Sequence, residues 1–239
     1  MLDTYSNPSV VARADENTRA TFIRRTYAHL AGAILAFIAL EAALMSIPGI
    51  ENTVFGLLGA SRWSWAIVLV AFMAVSWLAN KWAQSSTSLG MQYAGLTLYV
   101  VAEAVIFLPL LLIAANLVSD PNLIAKAAII TLGMFAGLSV IAFTTKKDFS
   151  FLGGILKIGF FVALGLIGAS IIFQGFNLGL WFSGAMVLLA SGSILYSTSN
   201  IIHHYQTSQY VAASLGLFAS VALLFWYVLR ILMALSGRD

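Results

Sequence analysis

Two carboxylates stand where carboxylates are costly. Glu103 lies in the middle of YAGLTLYVVAEAVIFLPLL, and Glu41 lies in AGAILAFIALEAALMSIPG, two turns before Pro48. An acid inside so long an apolar run must hold a proton, meet a cation or line a wet path. The chemistry it offers is proton transfer or cation binding. An unpaired charge at the centre of a bilayer costs roughly 3 kcal/mol or more. Glu103 is the stronger candidate, and Arg230, Lys157 and His29 are its candidate partners. Glu41 is closer to the end of its run. The adjacent pair His203-His204, in SILYSTSNIIHHY, is the other constellation with chemical potential. Neighbours on a helix point about 100° apart, so the two imidazoles do not share a metal as an i, i+4 pair does. They read as a loop contact with pH sensitivity.

Catalytic arrangements are missing. The sequence has no cysteine, which removes thiolate catalysis, disulfides and cysteine metal sites. Ser183 is followed by Gly184 but lacks a glycine two residues before it, and the histidines nearest to it in sequence, His203 and His204, fall in a loop rather than on a separate span. Every aspartate falls in a tail or loop, and there is no His-Glu-x-x-His and no phosphate-binding glycine loop. The expectation is a protein that is not an enzyme and takes no cofactor.

The elements that must position these residues follow from composition. Of the 239 residues, 61% are hydrophobic and 9% are charged. A water-soluble surface cannot be covered with so little polarity. The apolar runs are continuous and long, which predicts transmembrane helices rather than barrel strands. Seven spans are expected: Phe22–Ile47, Trp63–Asn80, Met91–Leu117, Leu123–Thr144, Phe151–Phe173, Leu178–Ser199 and Tyr210–Leu235. Turn signals at Ser46-Ile47-Pro48-Gly49, Gln84 to Ser88, Ser119 to Asn122, Thr144 to Asp148 and Gln174 to Asn177 separate them. Loops this short predict that consecutive spans pack side by side. Gly133 with Gly137, and Gly165 with Ala169, are small-xxx-small faces suited to close helix packing. The organisation is a polar tail over residues 1–21 and a single membrane domain over 22–239. The apolar run after Arg24-Arg25 ends without a cleavage signal, so the first span is expected to be retained.

Basic residues set the orientation. Arg13, Arg19, Arg24, Arg25, Lys81, Lys146, Lys147 and Lys157 fall on one side; Arg62, Lys126, Arg230 and Arg238 fall on the other. The excess places the N-terminus in the cytoplasm and the C-terminus outside. Trp63, Trp65, Trp77, Trp82 and Trp181 stand near span ends, as an interfacial belt requires. A net charge of +3 gives no reason to expect a nucleic-acid partner; the lipid bilayer is the expected surrounding.

Four segments together resemble the Bax-inhibitor family of seven-span membrane proteins. They are FIRRTYAHLAGAI (Phe22 to Ile34), AEAVIFLPLL (Ala102 to Leu111), FTTKKDFSFLGGIL (Phe143 to Leu156) and SGSILYSTSNIIHHY (Ser191 to Tyr205). The resemblance implies an all-α bundle in which six helices surround a central seventh, Tyr210 to Leu235. Ion-handling members of the family resemble calcium leak channels gated by two aspartates. The matching positions here are Ser197, in LYST, and Ser220, ten residues before Arg230. Neutral hydroxyls trade no proton near neutrality and attract Ca²⁺ weakly, so that gate is not expected. The text STSNIIHH and the closing GRD are most similar to the bacterial YccA branch. That similarity implies an inner-membrane partner, modulator and slow substrate of the FtsH protease and its associated membrane proteins. It makes the polar tail, with Met1, Arg13 and Arg19, a candidate handle for that protease.

Overall fold

The computed structural model describes residues 10–85, 88–116, 118, 120–145, 147–173 and 178–237. These residues form a 3-10 turn, Val11–Arg13, and eight helices with no strand among them: α1 Glu16–Met45, α2 Ile50–Gly59, α3 Ser64–Ala83, α4 Leu89–Asn116, α5 Leu123–Thr145, α6 Leu152–Ile172, α7 Gly179–His203 and α8 Tyr210–Ser236. All but α2 are long and apolar enough to cross a membrane. The chain is a multi-pass, all-α membrane bundle. Lys146, Arg238 and the loop Gln174 to Asn177 lie outside the described residues.

Helix α1 begins six residues before the expected first span. Asp15 causes this: its carboxylate accepts the Thr18 backbone N–H at 2.9 Å and satisfies a donor that the first turn would leave open. At 30 residues α1 is about 45 Å long, beyond the roughly 30 Å hydrocarbon core, so its first turns stand in the headgroup layer. The segment before it also packs, contrary to its polar appearance. Val11 is fully buried, and its N–H donates to the Tyr205 carbonyl at 2.9 Å. Val10 and Gln206 form an antiparallel bridge. Burial of Tyr205 pushes its phenol up to about 12, so it is neutral beneath this contact.

The interior belongs to α8 and α4. Helix α8 packs against α1, α3, α4, α5 and α7, and it buries Ser214, Leu217, Phe218, Ser220 and Leu224. Helix α4 packs against α1, α3, α5 and α8, and it carries Pro109 within its length. Proline lacks the N–H that would reach back one turn, a defect helices tolerate when neighbours surround them. Helix α6 packs mainly against α7 and presents Ile158, Phe161 and Val162 outward. In lipid, such outward apolar side chains need no protein cover.

Three expectations are corrected. Consecutive spans are not always neighbours: α5 packs on α7 and α8 rather than on α6, because the small and polar faces of α7 and α8 bury it better. The residues after Gly49, which adopts φ +77° in the turn, form the short helix α2 instead of a loop. The glycines that bring helices together are also different ones. A Cβ on Gly133, Gly137 or Gly165 meets open space, so these faces turn to lipid. The close approach is at Gly95 of α4, where a Cβ would come within 2.5 Å of the Ala79 carbonyl oxygen and the Ala83 nitrogen of α3.

Candidate intramembrane polar site

Helices α7 and α8 are joined by hydroxyls. Ser193 and Ser197, one turn apart on α7, both face Ser220 of α8, which is 3% exposed. The Ser220 hydroxyl donates to the Gly216 carbonyl at 2.9 Å. A hydroxyl has one proton, so Ser220 is the acceptor in its 2.8 Å contact with Ser193. Ser197 stands 3.4 Å from the same oxygen. The positions named from sequence, Ser197 and Ser220, are therefore side by side, and Ser193 is a third member that sequence did not single out.

The two acids are buried as expected, but in different surroundings. Glu103, 5% exposed, interacts with Tyr99 one turn before it on α4. Glu41, 4% exposed, has both carboxylate oxygens buried with no hydrogen-bond partner. The ion pairs among the described residues are Lys126–Asp120 at 2.6 Å and Asp148–His204 at 3.8 Å. None of Arg230, Lys157 or His29 pairs with Glu103. His29 is held instead by the Arg25 carbonyl at 2.7 Å and the Tyr93 hydroxyl at 2.8 Å, near the start of α4. Arg230 is partly exposed near the far end of α8.

An aromatic layer packs beside the acids. Phe37, one turn before Glu41, packs edge-on against Phe107, one turn after Glu103, with ring centroids 5.2 Å apart. Phe218 of α8 meets both Phe37 and Tyr99, and Phe225 and Trp226 close on Phe107. Both α1 and α4 run in the same direction through the bundle. The rings flank Glu103 on α4, with Tyr99 one turn before it and Phe107 one turn after it. Phe218 and Ser220 are two positions apart and leave α8 on nearly opposite sides. The serine cluster and Glu103 thus face different neighbours across the central helix.

A second hydroxyl cluster went unseen in the sequence. Tyr27 of α1 faces Ser139 of α5 and Thr198 of α7, and the three oxygens are buried without a hydrogen bond in place. Lone hydroxyls on three distant segments give no local signal. The rings of Phe135 and Phe143 pack beside Tyr27.

At the basic face, the two most distinctive sequence segments meet. The Phe149 N–H donates to the Ser199 hydroxyl at 2.9 Å, and the Ser150 N–H donates to the Asp148 carboxylate at 2.9 Å. The Ser150 donation, with His204 and His203 nearby, holds the Asp148 carboxyl below the usual carboxylate range. Helix α7 runs on to His203, beyond the expected Ser199, and the His203 ring contacts the Ser199 carbonyl at 3.0 Å. His203 is therefore a helix residue rather than a loop one. Of the candidate tail residues, Arg19 donates to the carbonyls of Val11 and Ala12 and clamps the 3-10 turn onto α1. Arg13 ends that turn, and Met1 lies outside the described residues.

Comparison with known proteins agrees with this architecture. A family model described as "Inhibitor of apoptosis-promoting Bax1" matches residues 19–237. Bax inhibitor 1 of Schizosaccharomyces pombe is 28% identical over 247 residues, covering all of this chain and 85% of that protein. "Uncharacterized protein PA2604" of Pseudomonas aeruginosa is 34% identical over 72% of this chain and 76% of its own length. The "Modulator of FtsH protease YccA" of Escherichia coli is 40% identical over 118 residues, which is 49% of this chain and 53% of that protein.

Proposed function

The chain belongs to the Bax inhibitor family, and on that premise we propose that it is a bacterial inner-membrane protein that binds and modulates an FtsH-type protease complex. It acts as a regulator and slow substrate, not as an enzyme. The observation that carries this reading is its 40% identity with a protein named as a modulator of that protease. The lysine and arginine bias supports a cytoplasmic N-terminus and a periplasmic C-terminus. The buried Val11 supports a mechanism for slowness. Residues 1–9 precede a docked turn, so a protease that engages the tail must first pull Val11 from beneath the α7–α8 loop.

The test is a gentle-detergent pull-down of the tagged full-length chain beside a version lacking residues 1–9, with bound proteins identified by mass spectrometry. Protease recovered with the full chain and lost with the shortened one supports the tail as handle. Recovery with both moves the contact to the membrane helices. Recovery with neither sinks the reading.

A second reading is a cation leak of the Bax-inhibitor type, with Ser197 and Ser220 in place of an aspartate pair. The unpartnered carboxylate of Glu41 favours it, because a buried acid without partners is suited to taking a proton or cation. The aromatic rings packed on both sides of Glu103 weigh against open conduction. Calcium and proton flux into proteoliposomes, with wild type and Glu103→Gln compared, decides it.

A further inference from the structure

We propose that one face of α1 holds a single anionic glycerophospholipid, its phosphate at Arg25 and one acyl chain in the groove between α1 and α4. Two cavities lie end to end along this face. The first, about 310 Å³, is polar and lies in the headgroup layer; it is lined by Asn17, Thr18, Thr21, Phe22 and Arg25 of α1 and by Thr207 of the α7–α8 loop. The second, about 370 Å³, is apolar and begins one turn deeper, at Ala28 and His29. Gly32, Ala36 and Leu40 of α1 and Val101 of α4 form its walls. Positions 18, 21, 25, 29, 32, 36 and 40 recur every three or four residues, so they form one continuous stripe of the helix.

The dimensions suit a lipid in one leaflet. Ala28 to Leu40 spans about 18 Å of helix, against roughly 15 Å for half of the hydrocarbon core. A Cβ added at Gly32 meets nothing within 4 Å, so the slot is open beside a bare backbone. Ala28, Gly32 and Ala36 are exposed, and in a membrane what covers them is lipid.

The charge suits an anion. The Arg25 guanidinium lies 5.5 Å from the centre of the Tyr210 ring, a cation–π contact that steadies an otherwise exposed side chain. No acid pairs with it among the described residues. Asp15, near this pocket, is engaged as the cap on Thr18. Asparagine and threonine side chains around Arg25 supply neutral donors for phosphate oxygens. A zwitterionic lipid would bring a second, repelled cation to the same place.

The experiment is native mass spectrometry of the full-length protein in detergent. It is titrated separately with phosphatidylglycerol, with phosphatidylcholine of the same chains and with inorganic phosphate. Phosphatidylglycerol is expected to bind preferentially. Arg25→Gln reduces that preference about fivefold, the worth of one basic residue at an anionic surface. Arg24→Gln, which removes an equal charge outside both cavities, leaves it unchanged. Gly32→Leu fills the slot and weakens both lipids; Ala36→Leu does the same if Gly32→Leu fails to fold, as judged by elution and melting. Equal binding of the two lipids, an equal loss in Arg24→Gln, or displacement of phosphatidylglycerol by inorganic phosphate would each overturn the proposal.

Discussion

The Ser193 hydroxyl rests 2.8 Å from the hydroxyl of Ser220, which already gives its own proton to the Gly216 carbonyl. The contact crosses from α7 to α8, the central helix. Ser220→Ala removes the acceptor and leaves Ser193 to find another. The expected loss is about 1 kcal/mol, the usual net worth of one such bond. Thermal unfolding in detergent measures it. A variant as stable as wild type would mean that the Ser193 hydroxyl turns back to its own helix without loss.

Phe107 is the hub of the aromatic layer, touching Phe37, Phe225 and Trp226. Phe107→Ala leaves a hole that costs about 3–5 kcal/mol if the neighbours do not collapse into it. If water enters that hole, it reaches Glu103, one turn away on the same helix. Proteoliposomes carrying the variant and a pH-sensitive dye should then leak protons faster than wild type, and adding Glu103→Gln should restore tightness. No leak above wild type would show that these rings are not what keeps Glu103 dry.

Val11→Asp places a charge where a fully buried valine sits. The 3-10 turn should undock, freeing the backbone around Arg13, whose side chain is already exposed, to enter a protease. Limited trypsin digestion checks this without any partner: cleavage after Arg13 should accelerate at least severalfold, with the spans intact. The same variant should be degraded faster by an FtsH-type protease. Faster trypsin cleavage with unchanged protease degradation would separate undocking from the proposed function.

Asp148 ties the α5–α6 loop to the end of α7 through Ser199 and His204. Its carboxyl is held low in the fold first by the Ser150 N–H of its own loop and then by His204 and His203, so its contribution to this tie is present above the ordinary carboxylate range. It is lost as pH falls through the lowered value. Because the chain has no cysteine, Phe151→Cys gives a unique site for a spin label on this loop. Its mobility should be constant near neutrality and rise in acid, and Asp148→Asn should raise it at every pH. A label equally mobile with and without Asp148 would remove the tie.

The spans were legible because lipid leaves a continuous apolar run almost one choice, a helix. Glu103 and Glu41 were legible as buried acids for the same reason. What surrounds each was not, since the register between α1 and α4 is set by how Phe37 meets Phe107, and that depends on both helices at once. Helix α2 escaped because ten residues are too few to span and too apolar to look like a loop. Gly133 and Gly137 misled because a small-xxx-small face reads the same whether it meets lipid or protein. Gly95, with no glycine partner at that spacing, carries the close contact because Ala79 and Ala83 supply the small side chains from the other helix. The tail looked free because two adjacent valines among polar residues are a weak signal, yet Val11 is what docks it.

The central position of α8 carries a consequence for synthesis. The ribosome delivers this helix last, after the others have already entered the membrane. Until it arrives, the surfaces that will enclose Ser193, Phe37 and Tyr99 have no permanent neighbour. A nascent or prematurely ended chain therefore carries an unfinished interior into the bilayer, with its two acids less well shielded. Arrival of α8 is read out as closure of the core, and a chain that stops before it announces the fact within the membrane itself.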